Sequence, residues 1–241
     1  MNKYKKDENY SYSFGAFVTY ELLENKPESA IKVLLSEKLN STPELEKVIS
    51  LAKKHNIEIE TNEKLIRKIA DKDNIFIVGV FEKYSQKIEQ QKNHVVLVNP
   101  SDMGNMGTII RTMAGFNMKD LAIIAPCCDI FNPKTIRASM GAIFKTNIQI
   151  FDSFEQYMQN HPANCLYPFM LNGTTTLQNL QTKKYPFSLV FGNEATGLAP
   201  QFINYGQSIV INHTNRIDSL NLPISVSMAL YEFTREKFLN K

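Results

Sequence analysis

Apolar positions recur along this chain in two periods, and the switching between them sets its architecture. Short unbroken apolar runs at Ala30–Leu35, Ile75–Phe81, Val95–Val98, Leu121–Ala125, Cys165–Leu171 and Phe187–Gly192 read as buried strands. Shorter ones at Ile57–Glu60, Ile148–Phe151 and Ser208–Ile211 read the same way. Between them the period changes to that of a helix. In Glu44–His55, Leu45, Val48, Ile49 and Ala52 share one face, and Thr42-Pro43 supplies an N-cap with proline in the first turn. Leu65, Ile66 and Ile69 do the same in Asn62–Ala70, as do Phe17, Tyr20, Leu22 and Leu23 in Gly15–Asn25. Asn132-Pro133 opens a helix to about Met140 that Gly141 ends, and Ser153 caps a short helix carrying Phe154, Tyr157 and Met158. Leu222–Leu239 is the closing helix. Residues 1–13 have neither period and are expected to be frayed or loosely docked.

Strands alternating with helices predict an α/β fold: a mostly parallel sheet with helices on both faces. Residues 82–93, EKYSQKIEQQKN, are polar without glycine or proline and read as a linker, or as a solvated helix continuing what precedes it. This gives a first domain over 1–81, a linker over 82–93 and a second domain over 94–241.

Bulk properties narrow the class. With 241 residues, 43% of them apolar, the chain can bury one large or two modest cores. No run of eighteen apolar residues predicts a membrane span. The polar start MNKYKKDENYSYS lacks the apolar centre of a secretory signal. Cys127, Cys128 and Cys165 form no C-x-x-C pair, which suits a reducing cytoplasm. The histidines are scattered, so no metal is expected. Net charge is +3, and neither half is a basic block: 16 basic and 15 acidic residues through Lys92, 11 and 9 after it. Composition alone therefore does not point to nucleic acid.

The chemistry is carried by three stretches at strand-to-helix junctions. Ser188–Leu198, SLVFGNEATGL, is a strand that stops at Gly192 and runs through Asn193 and Glu194 to Gly197. Loops of this kind at the carboxyl ends of parallel strands hold ligands in open α/β sheets, although a plain turn reads the same way. Asn99–Arg111, NPSDMGNMGTIIR, and Asn215–Glu232, NRIDSLNLPISVSMALYE, are the other two. The chain has no G-x-G-x-x-G after a strand, no Walker A lysine and no G-x-S-x-G.

Asn105, Gly107 and Arg111, then Gly192, Asn193, Glu194 and Gly197, then Ser219, Leu220 and Asn221, taken in this order, resemble the SpoU (TrmH) family of RNA ribose methyltransferases. The resemblance covers roughly Val95–Phe238. It implies a carboxyl-terminal trefoil knot, a homodimer formed through the knot helices, and a smaller ribosomal-protein-like α/β domain in front. It implies S-adenosylmethionine as cofactor and a ribose 2′-hydroxyl of RNA as acceptor, ribosomal RNA ahead of transfer RNA. A knotted RNA-binding protein without activity is the alternative. The cofactor would lie among Phe191, Gly192, Asn193, Glu194 and Gly197, around Ile211, and at Ser219, Leu220 and Asn221. Arg111 would be catalytic, with Asn105, Glu194, Ser219 and Asn221 beside it. Asn105, Arg111, Arg137 and Ser139 would contact RNA, the last two through an Arg-Ala-Ser-x-Gly segment ending at Gly141.

The residues keep second readings. Ser219 could cap the last helix, Asn105 could cap its own, and Arg137–Gly141 could be a surface helix end. Glu194 suits anchoring its loop better than meeting a phosphate, which it would repel. Two positions depart from the family pattern. Asn117 stands where glycine is usual, and asparagine tolerates the left-handed conformation. Pro223 stands where a small residue is usual, and proline is tolerated in a first helical turn.

Overall fold

A computed structural model describes residues 1–70 and 74–238, which form two compact units. The first comprises Met1–Tyr84 together with Asp129–Lys145; the second comprises Ser85–Cys128 and Thr146–Lys241. The segment 129–145, expected in the second domain, thus groups with the first.

The first unit runs β1 (Tyr10–Phe14), α1 (Ala16–Asn25), β2 (Ala30–Leu35), α2 (Pro43–Lys54), β3 (Glu58–Thr61), α3 (Glu63–Ile69) and β4 (Ile77–Glu82). Its sheet has the order β1-β4-β2-β3, with β1 and β2 antiparallel to β4 and β3 parallel to β2. The strand β1 corrects the expectation of a frayed start. In the stretch YSYSF, Tyr12 packs into one core, while Ser11 and Ser13 are also fully buried because their hydroxyls find partners: Ser11 donates to the Phe131 carbonyl at 2.5 Å, and Ser13 pairs with the Thr19 hydroxyl at 3.0 Å. A strand buried on both faces with serines on one of them does not read as a hydrophobic run. Phe131 and Phe144, from the 129–145 segment, meet the Phe81 ring edge-on at 6.1 and 5.2 Å. Thr42 caps α2 as expected, accepting from Leu45 N–H at 3.2 Å. The linker region holds no helix: Glu82 still belongs to β4, and Ile88 is buried in the core of the second unit.

The second unit runs β5 (His94–Val98), α4 (Met103–Gly115) and β6 (Asp120–Ile124). After the excursion that contains α5 (Pro133–Ala138), it continues with β7 (Asn147–Phe151), α6 (Phe154–Asn160), β8 (Cys165–Pro168), β9 (Thr175–Thr176), β10 (Phe187–Phe191), β11 (Ile209–Val210) and α7 (Leu222–Thr234). The five-stranded sheet has the order β7-β6-β5-β10-β8, and every pair in it is parallel. Val96, Ala122 and Val190 point to one face, against Phe154 and Tyr157 of α6. On the other face Phe233 of α7 meets the rings of Phe187 and Tyr167, and α4 packs on α7. The expected layers are therefore present. β9 and β11 form a separate two-stranded parallel sheet, so Ser208–Ile211 contributes two strand residues, and Cys165–Leu171 contributes four. α5 ends at Ala138, before Met140, and Gly141 follows at φ +77°. The closing helix ends at Thr234 and continues as a 3-10 turn over Arg235–Phe238; Leu239 lies outside the described residues. Asn117 takes φ +54° and Pro223 sits in the first turn of α7, so both departures are accommodated. Among the described residues no helix is long and apolar enough to cross a membrane.

Chain order reverses between β5 and β10. From β5 the chain steps to β6 and β7 on one side, while β10 and β8 lie on the other. Parallel sheets open a crevice at such a point, beyond the carboxyl ends of the strands.

Candidate active site

At that carboxyl edge the loops after β8, β10 and β11 and the approach to α7 enclose a cavity of about 330 Å³. This lies at the small end of the range typical of cofactor pockets. One wall is aromatic: Phe169 and Phe191, which follow and end neighbouring parallel strands, stack with ring centroids 4.5 Å apart. Ile209, Ile211 and Leu222 extend it, and Asn172, His213, Ser219 and Ser225 add polar groups.

The loop Gly192–Leu198 forms a further part of the lining and is built by its own side chains. Asn193 Oδ1 accepts from the N–H of Ala195 at 2.9 Å and of Thr196 at 3.3 Å, bending the backbone back on itself. Gly197 N–H donates to the Asn193 carbonyl at 2.9 Å and closes the turn. A Cβ on Gly192 would lie 2.1 Å from the Gly197 carbonyl carbon, so glycine is required there by the chain's own backbone. Gly197 is the opposite case: it takes φ +67°, and the space where its Cβ would sit is open.

The same loop is fastened to the edge of β5. Asn193 Nδ2 donates to the Asn99 carbonyl at 2.8 Å, and Asn99 Nδ2 donates to the Ala125 carbonyl at 2.7 Å, so the ends of β10, β5 and β6 are tied in series. Glu194 turns toward α4. Its carboxylate accepts from the N–H groups of Ser101 and Asp102 at 3.0 and 3.1 Å, from the Ser101 hydroxyl at 2.9 Å and from Asn105 Nδ2 at 3.3 Å. Partial burial would raise its pKa, but these hydrogen bonds dominate and hold it below the ordinary carboxylate value. A carboxylate at a helix N-terminus is also favoured by the helix dipole. Asp102 caps the same helix through Asn105 N–H at 2.7 Å, so Asn105 is not the cap.

The predicted site residues separate into groups. Phe191, Gly192, Asn193, Glu194, Gly197, Ile211, Ser219 and Leu220 all line the cavity. Asn221 does not: it is the N-cap of α7, and its carbonyl accepts from Ile224 N–H at 3.0 Å and Ser225 N–H at 3.1 Å. Asn221, not Ser219, thus occupies the N-cap position of α7, and its side chain makes no capping hydrogen bond. Asn105 reaches Glu194 but not the cavity. Arg111 is exposed on α4, on the stripe of Gly104 and Thr108, and among the described residues its guanidinium has no ion-pair partner. Gly107, one turn before Arg111 on the same side of α4, is buried. Arg137 and Ser139 belong to the first unit. Arg137 is exposed, whereas Ser139 is fully buried with its hydroxyl given to the Ile136 carbonyl at 2.8 Å, which corrects its expected contact with RNA.

Sequence reasoning missed Phe169, Asn172, His213 and Ser225 in the cavity, and Asn99 and Ser101 behind it. The Asn172-Gly173 dipeptide after a strand is legible in the sequence as a turn, and in the structure a Cβ on Gly173 would lie 2.5 Å from the Ile209 carbonyl carbon. His213 had none. Among the described residues no group of His, Cys, Asp and Glu is placed to hold a metal.

Residues 92–231 match the model of the SpoU rRNA Methylase family. Over 147 residues the chain is 29% identical to an uncharacterized tRNA/rRNA methyltransferase of Synechocystis, covering 60% of this chain and 53% of that protein. Over 150 residues it is 25% identical to the 23S rRNA (uridine(2479)-2'-O)-methyltransferase of Streptomyces viridochromogenes, covering 59% and 52%. The chain thus spans about half the length of these two relatives. The fold matches the crystal structure of an AdoMet-bound rRNA methyltransferase from Sinorhizobium meliloti, with a TM-score of 0.80 and 25% identity over 95% of this chain and 88% of that one.

Proposed function

The chain belongs to the SpoU rRNA methylase family, and from that premise we propose that it transfers a methyl group from S-adenosylmethionine to a ribose 2′-hydroxyl of RNA. The observation that carries this reading is the cavity at the carboxyl edge of the parallel sheet, lined by two of the three motif stretches and joined to the third through Glu194. Ribosomal RNA is the favoured substrate, because the likeness to the Sinorhizobium rRNA methyltransferase extends over the first unit as well. Transfer RNA is the alternative.

The cavity's residues suit this cofactor. The stacked Phe169 and Phe191 offer an apolar wall for a flat base, the open side of Gly197 leaves room for close approach, and Ser219, Ser225 and Asn172 offer hydrogen bonds to a ribose or an amino acid end. When bound, the cofactor supplies an electrophilic methyl group on a sulfonium. The chain's residues do the rest by position and charge. Arg111 grips a phosphate of the target nucleotide and stabilises negative charge developing on the ribose oxygen. Its guanidinium stays protonated, so it does not accept the proton. Glu194 and Asn105 set the first turn of α4, and with it Arg111, against the cofactor loop. Ser219 holds the ligand, and Arg137 adds an exposed cation for RNA.

Three further proposals complete the reading. The outer face of α7 presents Ile224, Met228 and Tyr231, which are 51, 38 and 62% exposed, and we assign this face to a homodimer contact. The threading of the carboxyl-terminal third as a trefoil knot and a cytoplasmic location complete the account. The test of function is ribose mapping of RNA from cells with and without the protein: one 2′-O-methyl mark should vanish without it. A silent RNA-binding protein would change no mark.

A further inference from the structure

A short junction joins β5 to α4, and its first residue leaves the strand conformation. Asn99 takes φ +53°. Residues other than glycine are uncommon there, although asparagine is among the more tolerant, and Pro100 narrows the choice further. Such a conformation persists where the surroundings hold it. The Asn99 N–H donates to the carbonyl of Ile124, the last residue of β6, at 3.0 Å. Its half-buried side chain turns Nδ2 toward three successive carbonyls, of Ala125 at 2.7 Å, Ile124 at 3.4 Å and Pro126 at 3.5 Å. Carbonyls only accept, so the group that faces them must be a donor. The Asn99 carbonyl in turn accepts from Asn193 Nδ2 at 2.8 Å. Pro100 adds a second tie, its carbonyl accepting from Cys128 N–H at 2.8 Å. Ser101 and Asp102 come next; they hold the Glu194 carboxylate, and Asp102 caps α4.

We propose that Asn99 is a positioning residue for methyl transfer: its side-chain amide anchors the β5–α4 junction to the end of β6 and thereby sets Arg111 in register with the cofactor loop. This rests on the methyl-transfer reading above. Among the described residues none from 99 to 111 lines the cavity, so the cofactor is held without this junction. Arg111 stands nine residues beyond Asp102, which is about 13 Å along the helix axis. A tilt of α4 by about 5° at its cap therefore moves the arginine by about 1 Å. In-line transfer tolerates little error of that kind, and a misplacement of about 1 Å can slow a reaction about a hundredfold. Losing the Asn99 amide thus costs rate and leaves the cavity's own ligand contacts in place.

Asn99→Gly and Asn99→Asp separate the amide from the backbone. Both tolerate a positive φ, and neither offers a side-chain donor to the three carbonyls. The full chain and both variants are compared, below their melting temperatures, in single-turnover transfer of a labelled methyl group from saturating S-adenosylmethionine to RNA. Calorimetric affinity for S-adenosylmethionine and the melting temperature are measured in parallel. The rate should fall about ten- to a hundredfold in both variants, with cofactor affinity close to wild type. The aspartate variant should be the slower, since its carboxylate repels the carbonyls it faces; should it fail to fold, the glycine variant carries the comparison. Wild-type rates in the folded variants overturn the proposal, whether or not the melting temperature drops, because Asn99 then serves backbone conformation or stability alone. Affinity that falls by the same factor as the rate overturns it too. A wild type that binds no S-adenosylmethionine or labels no RNA overturns the methyl-transfer reading itself, a result distinct from these.

Discussion

Glu194 grips Ser101 twice: one carboxylate oxygen lies 3.0 Å from the backbone N–H and 2.9 Å from the hydroxyl. The other oxygen takes the next N–H, that of Asp102, at 3.1 Å. One side chain thus joins the cavity loop to the first turn of the helix that carries Arg111. Glu194→Ala removes the acceptor from a helix N-terminus that also loses a favourable charge, and should cost about 1–3 kcal/mol in urea unfolding. Glu194→Gln keeps one acceptor oxygen and should cost less. If the alanine variant unfolds at the wild-type midpoint, the contact contributes nothing.

A second prediction concerns acid. His161 is buried beside His94, its ring 4.7 Å away, and burial followed by that neighbour lowers its pKa to about 4. His94 is lowered too, by burial. Both stay neutral in the fold at a pH where an unfolded chain binds protons, near 6.5. The stabilising effect of keeping them neutral is complete above that value, and stability should decline as pH falls from about 6.5 toward about 4. Denaturant melts across that range check this. His161→Leu should flatten the decline, and an unchanged slope would remove His161 from the account.

Gly192 gives a third. The motif by itself implies that a side chain there blocks the ligand and leaves the fold intact. The backbone of Gly197 and Leu198 occupies that space instead, at 2.1–2.3 Å from where a Cβ would stand. Even Gly192→Ala must therefore open the Asn193–Gly197 turn. Cofactor affinity and thermal stability should fall together. Loss of affinity with an unshifted melting temperature would return the glycine to a direct ligand role.

The difference between those two readings of Gly192 shows where sequence stops. Gly-Asn-Glu-x-x-Gly announces a loop after a strand, and both ends of it are where the motif implied. That Asn193 and Glu194 spend their remaining polar atoms on Asn99, Ser101 and Asp102 follows only from bringing together segments more than 90 residues apart. The parallel strands were legible because both faces of β5, β6 and β10 are apolar. The strand β1 was not, because its inward serines are satisfied by hydrogen bonds across the first unit, and a polar side chain with a distant partner looks like a solvated one in sequence. The Phe169 wall was missed for a related reason: its role depends on stacking with Phe191, on the neighbouring strand.

The fourth prediction concerns assembly. Ile224, Met228 and Tyr231 lie on one exposed stripe of α7, and Tyr231 meets Phe116 of α4 edge-on at 6.5 Å. Light scattering at micromolar concentration should give twice the chain mass, and Ile224→Glu should give the monomer by burying a charge in the contact. A wild-type monomer at that concentration would contradict the assignment of this face.

The most direct test of the whole account is single-turnover transfer of a labelled methyl group from saturating S-adenosylmethionine to RNA, with cofactor affinity measured in parallel, for wild type and Arg111→Ala. The account predicts label on ribose 2′-oxygens with the wild type. For the variant it predicts a rate lower by about two to three orders of magnitude, as for loss of one preorganised charge at the transition state, with cofactor affinity little changed, since Arg111 does not line the cavity. Arg111→Lys should recover little, because it lacks the planar fork for a phosphate. Label on a base, no transfer by the wild type, or an unchanged rate for Arg111→Ala would contradict it.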